Sequence, residues 1–121
     1  MLIIEGGSQF NILQPYLPTP TLTTNPPVSG TAYQNTNPYD IYISVPITFP
    51  TTASTAMTAY LRVGTSSTAG ANPIMDQFSE PATLATASGR IWSLKAKVPA
   101  GQYFEVDVTN ASIGTAVVAA A

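Results

Sequence analysis

Between residues 41 and 49 the chain alternates without a break. Ile41, Ile43, Val45, Ile47 and Phe49 are apolar, and Tyr42, Ser44, Pro46 and Thr48 stand between them. Period two sends successive side chains to opposite sides of a strand, so the stretch predicts a strand with one buried face. Thr36, Asn37 and Pro38 supply turn chemistry just before it, with Tyr33 and Tyr39 on either side. No other stretch sets direction, face and register together, and the remaining strands are expected to cover residues 41–49.

The same period recurs downstream. Met57, Ala59, Leu61 and Val63 point one way, with Thr58, Tyr60 and Arg62 the other. Trp92, Leu94, Ala96 and Val98 form one face of a strand, and Phe104, Val106 and Val108 one face of the next. Pro99, Ala100 and Gly101 between these two predict a hairpin whose glycine takes the left-handed position. That pairing puts Lys97 opposite Glu105 and Lys95 opposite Asp107, or, shifted by two residues, Lys95 beside Glu105; both registers keep inward residues inward. Shorter strands are expected at 31–34 and 113–118, with 119–121 as a tail. Pro46, on the polar side of its strand, marks an edge or a bulge. Residues 64–72 (GTSSTAGAN) read as a flexible tip. Residues 73–87 read as irregular with one short strand, anchored by Ile74, Met75 and Phe78.

Upstream, residues 1–4 offer a short edge strand. From Pro15 to Pro27 there are five prolines interleaved with threonines, which favours an extended path and excludes a central strand. Two readings stay open. The segment is an assembly arm that reaches a neighbouring subunit through Pro15, Tyr16, Leu17, Pro18, Pro20 and Leu22, or it is a strap along its own domain. The division is therefore residues 1–27 as arm or strap and 28–121 as the folded domain. Seven or eight short strands, abundant turns and no useful helical periodicity give an all-β class, an antiparallel β-sandwich or jelly-roll-like barrel.

Composition changes this picture in one respect. A chain of 121 residues is one domain able to bury roughly two-thirds of its unfolded surface. Yet only 8% of its residues are charged, against about a quarter in ordinary soluble domains, and the net charge is -2. Polarity comes from Thr, Ser, Asn and Gln, so copies repel one another little and a homo-oligomer is expected. Four Lys and Arg in total cannot track a phosphate backbone, which excludes a nucleic-acid partner. The N-terminal MLIIEGG lacks the basic flank and apolar length of a signal peptide, and no window approaches the ~20 apolar residues of a membrane-spanning helix. Synthesis in a cytoplasm and no membrane partner are the expectation.

Candidate chemistry is sparse. The chain has no histidine and no cysteine, which removes the commonest general base, disulfides and thiolate metal sites. Lys95 and Lys97 are assigned to cross-strand pairs. Asp76 and Glu80 make a nominal carboxylate pair for glycoside hydrolysis; with Asn72 they make a nominal oxygen set for calcium. The pair sits in a loop with no aromatic platform nearby in sequence, and the oxygen set matches no EF-hand spacing, so no catalytic residue, metal or cofactor is assigned and the chain reads as non-enzymatic. Tyr33, Tyr39, Tyr42, Tyr60 and Tyr103 fall on outward or turn positions and form the candidate interaction surface, suited to packing on another subunit or stacking on sugar rings.

A Pro/Thr lead is followed here by S-G-T-x-Y-x-N-x-N-P at Ser29, Gly30, Thr31, Tyr33, Asn35, Asn37 and Pro38, and then by the alternating strand. Near the end comes V-P-A-G at Val98–Gly101, followed by Tyr103 and Phe104. This pattern, over residues 18–118, resembles small β-sandwich modules of bacteriophage virion proteins, both head-surface proteins and tail-fibre or receptor-binding proteins. The resemblance implies a structural or adhesive role on the virion surface, commonly as a trimer, with other virion proteins as partners. Because the chain has no fibre shaft, the resemblance favours a capsid decoration or minor structural component. The alternative is a carbohydrate- or receptor-binding module of a phage tail fibre or tip, with a glycan as its receptor.

Overall fold

The structure is a computed structural model and describes residues 19–49, 56–80 and 91–121. Its strands are β1 (Ala32–Gln34), β2 (Ile41–Thr48), β3 (Met57–Gly64), β4 (Ile74–Glu80), β5 (Ile91–Val98), β6 (Tyr103–Thr109), β7 (Ser112–Ile113) and β8 (Val117–Ala120). All pairings are antiparallel, and they make two four-stranded sheets. One has the order β1-β6-β3-β4; in the other, β2 lies between β5 and the successive short strands β7 and β8. The molecule is a β-sandwich, and β2 is the centre of its second sheet.

The alternation that predicts β2 and β3 is what fills the interior. Ile41, Ile43, Val45, Ile47 and Phe49 meet Met57, Ala59, Leu61 and Val63 across the layers, with Leu94, Val98, Phe104 and Val106 completing the core. Every one of these is buried. At about 25 cal/mol per Å² of apolar surface removed from water, this contact is the main driving force of the fold.

Pro46 sits in the middle of a central strand, where a missing N–H normally breaks a ladder. The bulge reading explains how it is tolerated. Between the pairs Ser44↔Val117 and Ile47↔Ile113, Val45 and Pro46 face three residues, Gly114, Thr115 and Ala116. The extra residue is a bulge separating β7 from β8. Gly114 N donates to Pro46 O at 2.8 Å, so the absent N–H of Pro46 would face this same interrupted side. A Cβ on Gly114 would come within 3.0 Å of Pro46 Cγ, which explains the glycine.

Two expectations need correcting. Residues 99–101 do not close a hairpin: β5 pairs with β2, β6 pairs with β1 and β3, and the turn carries the chain from one sheet to the other. Gly101 does take the left-handed conformation, with φ of 79°. Lys95 and Lys97 therefore lie opposite Ser44 and Tyr42, not Glu105 and Asp107. Hairpin pairing is the default for strands joined by a short turn, and here the burial of two apolar faces in separate layers wins. The second correction concerns residues 73–80 and the tail; residues 81–87 of the same expectation lie outside the described residues. One strand, Ile74–Glu80, lies there, with a register shift opposite Leu61/Arg62; Phe78 packs against the core as expected, while Ile74 and Met75 are exposed rather than anchoring. Ala119 and Ala120 belong to β8.

The motif around Asn35 is architectural. Asn35 is buried; its Nδ2 donates to Tyr39 O (3.1 Å) and Val98 O (3.0 Å), and its Oδ1 accepts from Asn37 N (3.1 Å) and Asn37 Nδ2 (2.9 Å). One side chain thus ties the turn before β2 to the end of β5. The Asn37 side chain in turn accepts from Thr21 N and donates to Thr21 O. Residues 19–27 consequently run as a strap on their own domain, with Pro20 and Pro27 buried and Leu22 packed against the core. Of the proposed arm contacts, Pro20 and Leu22 are internal, while Pro15, Tyr16, Leu17 and Pro18 lie outside the described residues, as does the strand expected at 1–4.

Candidate interaction surface

The second sheet turns its outer face to solvent, and period two decides what it shows. From β2 come Tyr42 and Ser44, from β5 Lys95 and Lys97, and from β8 Val117 and Ala119. Together they line an open groove of about 410 Å³. Its walls are apolar because Tyr42 (55% exposed) and Val117 (68% exposed) present ring and methyl surface, and lysines lay their aliphatic stems along such surface. The flank is basic. Lys97 Nζ is 3.4 Å from Asp40 Oδ2, and the other oxygen of Asp40 accepts from Ala100 N at 2.9 Å. That backbone bond, and then Lys97, hold the Asp40 carboxyl below its ordinary range. The Lys95 backbone N–H donates to Asp76 Oδ2 at 2.9 Å from across the sandwich edge.

The five tyrosines do not share one surface. Tyr42 belongs to the groove. Tyr33 faces inward, its ring centroid 5.7 Å from that of Phe104 and its hydroxyl accepting from Val28 N at 3.0 Å. Tyr39 packs against the core. Tyr60 and Tyr103 lie on the outer face of the first sheet, where Tyr60 stands opposite Asp107 and Tyr103 opposite Gly64. Four positions along β6 separate those two sites, about 13 Å. The row expected from the sequence is therefore divided between the two sheets and the interior, because a turn tyrosine reads as outward until its neighbouring sheet is known.

Asp76 and Glu80 are likewise not convergent. They share one face of β4 four residues apart, about 13 Å. Asn72 is buried and holds the loop before β4, accepting from Ser66 N (3.0 Å) and donating to Ser66 O (2.8 Å). Among the described residues no group of three or more His, Cys, Asp or Glu is placed to hold a metal ion.

A denser polar cluster lies on the outer face of the first sheet. The loop between β3 and β4, expected as a flexible tip, folds back so that Gly70 N donates to Glu105 Oε1 at 2.8 Å. Arg62 Nε donates to Asp107 Oδ2 at 2.9 Å, and its Nη1 to Asn72 O at 2.9 Å. Glu105 is only 2% exposed. Burial, then hydrogen bonding to Asp107, pushes its carboxyl above the usual range, against the opposing pull of Gly70 N–H and Arg62. One guanidinium, two carboxyls and a backbone amide are mutually satisfied here, which is the chemistry of a clasp rather than of a reactive centre.

Sequence reasoning misses Val117, Ser44 and the two lysines as members of one surface. Only the order β5-β2-β8 brings them together, and no local pattern encodes it. Compared with protein-family models, curated proteins and solved structures, the chain matches none of them.

Proposed function

We propose that this chain is a non-enzymatic structural protein of a virion surface, a capsid decoration or minor structural component that acts by protein–protein assembly. The observation that carries the reading is the outer face of the β5-β2-β8 sheet. It exposes Tyr42 and, diagonally across from it, Val117 around an apolar groove, on a chain with 8% charged residues. Exposed aromatic and aliphatic surface of this kind, with little charge to keep copies apart, favours contact with neighbouring subunits. The resemblance of residues 18–118 to phage virion modules supplies the particle, and implies a homo-oligomer, commonly a trimer, packed among other virion proteins. Tyr42→Asp and Val117→Asp test it in the full-length chain. Wild type is expected to self-associate by light scattering or to form ordered arrays by negative-stain microscopy, and both variants to form smaller assemblies and no arrays. Assembly unaltered by either substitution would remove the face from the reading.

One observation favours a second reading. Tyr42 presents an exposed ring beside the Ser44 hydroxyl and the Lys95 and Lys97 ammonium groups, a stacking platform with donors for sugar hydroxyls. A carbohydrate- or receptor-binding module of a tail fibre or tip would use it so. A glycan array probed with wild type and Tyr42→Ala separates the readings: binding lost in the variant supports the module, and no binding by wild type disposes of it.

A further inference from the structure

The outer edge of β8 carries one strand-pairing position that is filled and, beside it, two that no described residue fills. Ala121 N donates to Asp40 O at 2.9 Å, and these two residues are directly opposite in the β2–β8 register. In an antiparallel ladder such hydrogen-bonded pairs alternate with non-bonded ones. Asp40, Tyr42 and Ser44 therefore bond β8, and the residues whose N–H and C=O turn away from β2 are Ala116, Val118 and Ala120. The first of these positions is taken. Asn25 Nδ2 donates to Ala116 O at 3.0 Å and Ala116 N donates to Asn25 Oδ1 at 2.8 Å. A carboxamide offers one donor and one acceptor, as a strand residue does. At Val118 and Ala120, the next two positions, no described residue takes that place.

The other edges are blunted. β1 has only three residues. β5 carries Lys95 and Lys97 and has its Lys95 N–H capped by Asp76. β4 carries Asp76 and Glu80, and its pairing with β3 is broken by a register shift at Leu61/Arg62. Short edges, charges and bulges are the devices that stop strands pairing with foreign strands. Residues 110–121 contain no charged side chain, and Val117–Ala120 is entirely Val and Ala.

We infer that β8 pairs antiparallel with β8 of a second copy across a two-fold axis at Ala119, fusing two sheets into one. This deepens the assembly reading by naming the partner and the strand; it makes the basic unit a two-fold pair in place of the trimer that the resemblance implies, and its test needs no virus particle. Val118 of each copy lies opposite Ala120 of the other, so both vacant positions are filled from both sides. Small Ala119 faces its own equivalent, which leaves no side chain to collide. At about 4.8 Å per strand, the two Tyr42 residues come about 14 Å apart and the two grooves become continuous. The Lys97 residues stay about 24 Å apart and the Lys95 residues farther, beyond a Debye length of about 8 Å, so these lysines do not oppose the contact. An isologous contact needs such a self-complementary strand, and an uncharged Val/Ala edge with two open positions provides it.

The chain has no cysteine, so a single introduced thiol reports geometry directly. A non-bonded antiparallel pair has Cα atoms about 4.5 Å apart, within disulfide reach. Ala119→Cys in the full-length chain is expected to give a disulfide-linked dimer under mild oxidation, seen on a non-reducing gel, about tenfold or more faster than Val117→Cys. In the two-fold register residue 117 faces residue 121 of the other copy and is about 14 Å from its own equivalent. Adding Ala120→Pro to Ala119→Cys removes an outward N–H that β2 does not use; it is expected to suppress the link while Trp92 fluorescence stays native. Linking of Ala119→Cys no faster than Val117→Cys overturns the proposal, and so does linking undiminished by Ala120→Pro. Neither outcome touches the outer-face reading, which rests on Tyr42 and Val117 and on assembly rather than on this edge.

Discussion

Replacing Glu105 by glutamine tests which protonation state the clasp on the first sheet prefers. Glu105 projects from the outer face of β6, yet the loop over it leaves it 2% exposed. The charged and titratable groups around it are Asp107 on its own strand and Arg62 on β3; Tyr60 adds a ring 6.0 Å from the Arg62 guanidinium carbon. Two carboxyls against one guanidinium leave an excess negative charge in a desolvated place, so a proton on Glu105 is favoured. The sign follows. A carboxyl whose folded-state pKa lies above its ordinary value of 4.5 stabilises the fold most when protonated, and this contribution declines as pH rises from about 4.5 through the raised value. Glutamine keeps an oxygen for Gly70 N–H and adds a permanent donor toward Asp107. Glu105→Gln is therefore expected to match wild type below pH 4 and to exceed it at pH 7 by about 0.5–1.5 kcal/mol, the net worth of one hydrogen bond. Urea unfolding followed by the single tryptophan, Trp92, at a series of pH values reads this out. With a slope of about 1–3 kcal/mol per molar urea, a 1 kcal/mol gain moves the midpoint by about 0.3–1 M. If Glu105→Gln is less stable than wild type at pH 7, the ionised carboxylate is the form the site wants, and Arg62 with Gly70 N–H outweighs burial.

Three further outcomes follow from the geometry. Asn25→Ala removes both bonds that hold Ala116, and the same urea titration should show a loss of about 1–3 kcal/mol with the slope unchanged. Gly64→Ala places a Cβ against the Asn72 carboxamide; a loss of about 1–3 kcal/mol is expected from the overpacking, together with faster amide exchange at Ser66, whose N–H that carboxamide holds. Leu94→Ala, in the fully buried contact between layers, should cost about 2–5 kcal/mol by thermal or urea unfolding, with no pH dependence.

How much of this was legible in the sequence depends on the range of the cause. The burial of β2 and β3 was legible because period two is a property of the strand itself: Ile41 through Phe49 and Met57 through Val63 face inward whatever their partners are. Partner choice is different. Lys97 opposite Glu105 is a sound inference from a short turn and alternating charges, and it fails because Val98 and Phe104 each bury their faces in different sheets, a layer-scale gain larger than any cross-strand ion pair. Phe78 shows the same limit. Its segment reads as irregular because Pro73 and Pro81 frame it, yet its ring stacks between Phe49 and Trp92 at 5.0 and 4.5 Å, contacts that only the closing of β4 against β5 creates.

The interaction surface was less legible still, because exposure is decided by what does not cover a residue. Val117 and Tyr42 are ordinary strand residues in isolation. They become a surface because β7 and β8 pair with β2 on the side away from β5. That sheet order also decides which residues of β8 turn their backbone outward. The bulge at residues 114–116 then shifts the phase by one residue, so that Ala116 meets Asn25 while Val118 and Ala120 face away from β2 with no partner among the described residues. A sequence read at period two gives both faces of such a strand but neither of its edges, since an edge is a property of the sheet and not of the chain. The assembly reading therefore turns on this face and the strand pairing on this edge, the two features that only the folded topology supplies.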